Sequence, residues 1–292
     1  MRGVGETTAA ITIVNALPTG IGSAVGVDLR ARAEVELHPA GSHGKWDVRV
    51  PEEVRTPLVI SALTEALRRF APGSSGSGEL TLRTDIPAAR GLKSSSAVSS
   101  AVVLAVARAT DVSVEPVEIA RMSAVISQAV GLSATGALDD ALAGLSAGVV
   151  VTDNRRGELL KTYPTDPGLG VVLYIPNYTH RPSPEWASAF RAEASQSQVA
   201  VDAALGGDWP AAMRENTRLV ERVLRYDYDA LRANLRTRGA IASGVCGLGP
   251  TLAAVAPREQ LREVARAFED APGDRRTVAF SSVRADHGGE TR

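Results

Sequence analysis

The chain has 292 residues, of which 44% are hydrophobic, 22% charged and only 4% aromatic, with a net charge of −1. That length suits one large domain or two ordinary ones, and the balance of charge excludes a general basic surface for nucleic acid. A single cysteine, Cys246, excludes an internal disulfide and any Cys/His metal site, and it points to the reducing cytoplasm.

The N-terminus, MRGVGETTAA, lacks the apolar core of a signal peptide, and no apolar run is long enough to span a bilayer. Thr7–Leu17 and Ser23–Leu37 alternate or carry β-branched residues, which predicts two strands, with a short third at Trp46–Val50. Pro57–Phe70 is amphipathic at helical spacing and stops at the turn APGSSGSG. Gly78–Ile86 reads as a strand, and Ser94–Ala109 and Glu115–Val130 as helices, the second with Pro116 in its first turn. Ala137–Leu145 predicts a short helix, Gly148–Thr152 a strand, and Asp153–Gly157 a turn into another strand.

Leu169–Ile175 is a predicted strand, and Ser183–Arg238 is helical with a break at Gly206-Gly207. Strands at Ala240–Val245 and Leu252–Ala256, a helix at Pro257–Phe268 and a strand at Thr277–Val283 complete the pattern, before a loose tail. Strands and helices mix without strict alternation, so the expected class is α+β with two sub-domains meeting between Thr152 and Leu169.

Three places carry loop glycines: NALPTGIGSAVGVDL (Asn15–Leu29), PAARGLKSSSA (Pro87–Ala97) and ASGVCGLGPTLAAV (Ala242–Val255). In the second, a helix starts just after Gly91 and Lys93. A helix start leaves backbone N–H groups unpaired and carries partial positive charge, so it can hold an anion. Lys93 adds a full charge, and the serine hydroxyls can bond phosphate or Mg²⁺. The plain alternative is that Ser94 caps the helix while Ser95, Ser96, Ser99 and Ser100 only pack. This is not a Walker A loop, because the one Gly-Lys pair, Gly44-Lys45, precedes Trp46. The first loop does not fit the dinucleotide fingerprint either.

Farther on, SATGALDDALAGLSAG places Asp139 and Asp140 among small apolar residues at a helix start. One of them caps or favours the helix end, or a carboxylate there takes a proton from a substrate hydroxyl. Cys246 reads as a small buried residue, Trp186 and Trp209 as core, and His38, His43, His180 and His287 as surface histidines.

Together these segments resemble the GHMP kinases. PAARGLKSSSA resembles their second motif with Lys93 in place of a glycine, GLGPT (Gly247–Thr251) their third, and TGALDDA (Thr135–Ala141) their catalytic-aspartate segment. The first motif, Lys93 and the Asp-Asp pair narrow the resemblance to the archaeal-type shikimate kinases, nearly end to end.

The resemblance implies a two-domain α+β fold, with a ribosomal-protein-S5-like N-terminal domain (1–160) and a ferredoxin-like C-terminal domain (161–292). It implies ATP-dependent phosphorylation of the shikimate 3-hydroxyl on the route to chorismate, with ATP and Mg²⁺ as cofactors and ATP and shikimate as the small-molecule partners. By position, Pro87, Ala88, Ala89, Arg90, Gly91, Leu92, Lys93, Ser94, Ser95, Ser96 and Ala97 would bind ATP, and Ser95 would hold Mg²⁺. Asp139 would be catalytic. Thr19, Gly20, Gly22, Ser23, Asp140, Gly247 and Gly249 would face substrate, with Pro250 completing the third motif.

The chain departs from the family where Cys246 and Leu248 replace a serine and a threonine. Where some members carry a metal-binding Glu, this chain has Gln128. An arginine or a group of backbone N–H donors should meet the shikimate carboxylate. A kinase for another alcohol, such as homoserine or mevalonate, and a non-catalytic binding module are the competing readings.

Overall fold

The computed structural model describes residues 1–38, 44–73, 77–178 and 184–280. Two antiparallel-rich sheets and nine α-helices make an α+β architecture among these residues. The first sheet is built on β2 (Ile21–Leu37), which pairs antiparallel with β1 (Arg2–Val14) along nearly its whole length. Its C-terminal half pairs with β4 (Gly78–Thr84) and its N-terminal end with β5 (Val149–Asp153). β3 (Trp46–Arg49) joins β4 in parallel, and β6 (Glu158–Tyr163) closes the other edge on β5.

β1 starts five residues before the predicted strand and ends at Val14, so Asn15–Gly20 is a turn rather than strand. The early start was masked by Gly3 and Gly5, which ordinarily weaken a strand. Here a helix lies across them: a Cβ on Gly3 would sit 2.2 Å from the Ala105 carbonyl oxygen, and one on Gly5 2.0 Å from that of Ala101. That helix is α2 (Ser94–Ala109), which is buried on nearly every side. A helix apolar all round belongs in a core. Around it lie α1 (Thr56–Phe70), α3 (Pro116–Ala129) and the short α4 (Leu138–Ala143).

The second sheet has the strand order β10-β7-β9-β8, from β7 (Leu169–Pro176), β8 (Ala242–Val245), β9 (Leu252–Pro257) and β10 (Gly273–Val278). Helices link β7 to β8 and β9 to β10. The result is a β-α-β-β-α-β plan with every pair antiparallel, the ferredoxin-like topology.

The predicted helical stretch after residue 183 is four helices: α5 (Pro184–Ala192), α6 (Ala194–Leu205), α7 (Trp209–Leu224) and α8 (Asp229–Thr237). The break at Gly206-Gly207 is present. Two further breaks, at Glu193 and at Arg225–Tyr228, have no glycine or proline to announce them; Arg225 itself takes the left-handed conformation, φ 58°. The predicted helix from Pro257 is a 3₁₀ turn (Arg258–Gln260) and then α9 (Leu261–Arg266). The last strand ends at Val278; Phe280 bridges back to Val27 of β2, and the rest of the predicted strand and the tail lie outside the described residues. His43, His180 and His287 also lie outside them.

The two sheets share one core. Ile11 and Ile13 of β1 belong to the same buried cluster as Val171, Leu173 and Ile175 of β7. The alternate residues of β7, Val172 and Tyr174, face a second cluster with Phe190, Leu219 and Phe268. A strand buried on both faces loses its polar alternation, which is why β7 reads as a continuous apolar run. Among the described residues, no helix is long and apolar enough to cross a membrane.

Candidate active site

The predicted ATP loop leaves β4 and turns through Pro87–Gly91 into α2. Lys93, not Ser94, is the N-cap residue; it is left-handed, φ 64°, and its side chain caps nothing. The first N–H groups of α2 therefore receive no cap from the N-cap side chain. Ser94 and Ser95 are half-buried here, and neither hydroxyl has a protein partner among the described residues. Ser96 and Ala97 are buried, and the Ala97 carbonyl accepts a hydrogen bond from Thr7. Ser99 points inward to Ser123 at 2.5 Å, so it and Ser100 are packing residues, as the plain alternative held. Arg90 is turned away from the helix start: its guanidinium donates to the carbonyls of Pro176, at 2.6 Å, and Tyr178.

The third motif presses on this loop. Gly91 (φ 84°) meets it backbone to backbone, and a Cβ there would lie 2.1 Å from the Cys246 carbonyl oxygen. Gly247 lies under Lys93: a Cβ on it would be 3.2 Å from Nζ. Gly249 lies beneath Tyr226, whose hydroxyl donates to Leu248 O at 2.7 Å, while that of Tyr228 donates to Pro250 O at 3.0 Å. The Cys246 thiol is fully buried, and burial pushes its pKa up to about 12, so it is no nucleophile.

Asp139 and Asp140 stand in the first turn of α4, after left-handed Gly136 and Ala137. The Asp140 Oδ1 is 2.8 Å from Lys93 Nζ, and both side chains are 11% exposed. Among the described residues that oxygen has no partner of hydrogen-bonding geometry, so the charge on Lys93 is what compensates its burial. Burial alone would lower the Lys93 pKa; Asp140 and then Asp139 outweigh it and raise it, which keeps the ammonium charged.

Asp139 is held from the other side. Asn154 Nδ2 donates to its Oδ1 at 2.8 Å, and Thr152 Oγ1 donates to Asn154 Oδ1 at 2.7 Å, which fixes the amide. Burial, and then repulsion from Asp140, push the Asp139 pKa up to about 7, against the pull of Lys93 and Asn154. A carboxyl poised near neutrality suits proton transfer. In the sequence Asn154 reads only as part of the turn Asp153–Gly157, not as a site residue. Its one signal was a polar Thr-Asp-Asn run at the end of an apolar strand.

Of the first-loop residues, Gly22 lies directly over the aspartate: a Cβ on it would be 2.5 Å from Asp139 Oδ2. Gly22→Ala, on an ordinary strand position, is expected to keep the fold. It should cut kcat about 100-fold, the scale of a 1 Å misplacement at a reacting centre; a circular dichroism spectrum and steady-state rates check both halves. Gly20 (φ 89°) and Thr19 flank this point. Ser23 stands apart. Strand alternation turns it to the opposite face from Gly22, where its hydroxyl is fully buried and unpartnered.

Among the described residues, no group of three His, Cys, Asp or Glu side chains gathers as a metal cage. The donors that fit Mg²⁺ are the open Ser95 hydroxyl and the neighbouring carboxylates. Mg²⁺ usually takes only one or two protein ligands and completes its shell from phosphates and water.

A helix start just after left-handed Gly91, beside a lysine and a buried aspartate, is an architecture suited to a small-molecule kinase. The family model described as the GHMP kinases N terminal domain matches residues 57–148. The Methanococcus jannaschii mevalonate kinase structure superimposes with a TM-score of 0.74 at 12% identity, covering 97% of this chain and 99% of that one. The shikimate kinase of Pyrococcus furiosus is 34% identical over 92% of this chain and 97% of its own length. That of Methanosarcina acetivorans is 33% identical over 94% of this chain and 92% of its own. The chain belongs to the archaeal shikimate kinase family, within the GHMP kinases.

Proposed function

We propose that the protein transfers the γ-phosphoryl group of ATP to the 3-hydroxyl of shikimate, as a cytoplasmic step toward chorismate. The observation that carries this reading is Asp139: a buried carboxyl with a raised pKa, fixed by Asn154, beside the charged Lys93 and the uncapped start of α2. Identity above 30% to shikimate kinases along nearly the whole chain supports the choice of acceptor.

The backbone N–H groups of Ser94–Ser96 and Lys93 hold the ATP phosphates. Asp139 orients the acceptor hydroxyl and takes its proton; the hydroxyl oxygen bonds the γ-phosphorus as the bond to the bridging β–γ oxygen breaks. ADP and shikimate 3-phosphate leave. Such transfers need mainly positioning and charge neutralisation. Mg²⁺ would be held by Ser95 Oγ and the nucleotide, and would supply further positive charge there. The proposed division is a nucleotide-binding half and a half that braces it through Gly247 and Gly249; the expected border at 160/161 falls inside β6 of the first sheet, so it moves to the connection after Tyr163.

A coupled ADP-release assay with Mg·ATP and shikimate, homoserine or mevalonate tests this. ADP is expected with shikimate alone. Release with another alcohol would keep the kinase and replace the acceptor, and ATP binding without turnover on any of them would favour a binding module.

A further inference from the structure

A cleft of ≈ 730 Å³ is lined by Thr19, Arg155, Arg191, Ser195 and Gln198 among others. Among the described residues its lining has two guanidinium groups and no acidic side chain. Among the described residues neither guanidinium has a hydrogen-bond or ion-pair partner. Many other arginines here do find carboxylates: Arg121 with Glu118, Arg218 with Glu215, Arg222 with Glu193 and Arg232 with Glu221. Two like charges facing one cleft repel each other, and an anion between them would reverse that cost.

The cleft's position ties it to the reacting centre by two routes. Arg155 directly follows Asn154, the residue that holds Asp139. Its Nε also lies 2.6 Å from where a Cβ on Gly20 would sit, two residues before Gly22. Arg191 comes from α5 across the cleft, and Ser195 and Gln198 come from α6. The neutral donors suit hydroxyl groups, and the paired guanidiniums suit a carboxylate, which they can bind in a fork.

We infer that Arg155 and Arg191 form the carboxylate subsite for the acceptor, gripping one end of a polyhydroxy ring acid while Asp139 addresses its hydroxyl. This rests on the reading of the protein as a shikimate kinase.

The test is steady-state kinetics of the full chain with shikimate and with its neutral methyl ester. Arg155→Gln and Arg191→Gln should each raise KM for shikimate about 30-fold, equivalent to about 2 kcal/mol at 1.4 kcal/mol per tenfold. KM for ATP should stay put, and the preference for acid over ester should collapse. Arg155→Lys should recover part of the loss, and Arg68→Gln, on a distant surface, should change nothing. A shikimate KM within threefold of wild type in both glutamine variants, or an unchanged acid-over-ester preference, would overturn the subsite. If the wild type releases no ADP with shikimate, the functional reading fails separately. The subsite is then judged by calorimetric titration with shikimate, quinate and the methyl ester: acid-selective binding lost in Arg155→Gln upholds it, and no acid-selective binding overturns it.

Discussion

Asp139→Asn is expected to lower kcat roughly 1,000-fold, the middle of the range for losing a general base, and yet to make the protein more heat-resistant at pH 8. Two carboxylates and one ammonium are buried together, so the cluster carries an excess negative charge. Asn removes that excess and leaves the Lys93–Asp140 pair balanced. Folding raises the Asp139 pKa from 3.8 to about 7, chiefly through burial and then through Asp140. The native state therefore holds this proton more tightly than the unfolded chain. The associated stability is full below pH 3.8 and is lost as pH rises through about 7. Calorimetry should find the melting temperatures of wild type and variant close at pH 4 and separated by a few degrees at pH 8, the variant higher. Equal melting at pH 8, or a kcat within tenfold of wild type, would remove Asp139 from the role given to it.

Lys93→Met acts in the opposite direction. It leaves two adjacent carboxylates buried without a cation, and stranding one partner of a buried pair costs about 3–5 kcal/mol. A fall in melting temperature of about 10 °C follows for a chain of this size. Adding Asp140→Asn should recover most of it, because the stranded charge goes with it. Activity should not return if, as proposed, the Lys93 ammonium also meets the ATP phosphates: KM for ATP should stay at least tenfold high in single and double variants alike. Full recovery of ATP affinity in the double variant would show that Lys93 only neutralises Asp140. A single variant as stable as wild type would show that the pair carries no stability.

Much of this was readable in the residues, for definite reasons. α2 declared itself because its long apolar run follows glycine, lysine and serine, and a helix buried on all sides has no polar face to blur the pattern. Asp139 and Asp140 stood out as charges in a small, apolar setting. What escaped depends on contacts between distant parts of the chain. Gly3 and Gly5 look like strand breakers until α2 lies on them. Asn154 and Arg155 look like turn residues until the hairpin carries them to α4 and to the cleft. Ser23 seemed to belong with Gly22, and the two-residue period of a strand separates them. The break at Arg225 left no mark, since nothing local obliges an arginine to turn left-handed.

The backbone contact between Gly91 and Cys246 also bears on how such enzymes can be recombined. The two positions are far apart in the sequence but touch without a side chain between them. A chimera that takes its nucleotide loop from one parent and its GLGP segment from another must match two main-chain paths, which no single substitution can repair. Crossovers that keep both segments from one parent should give working hybrids far more often than crossovers that separate them.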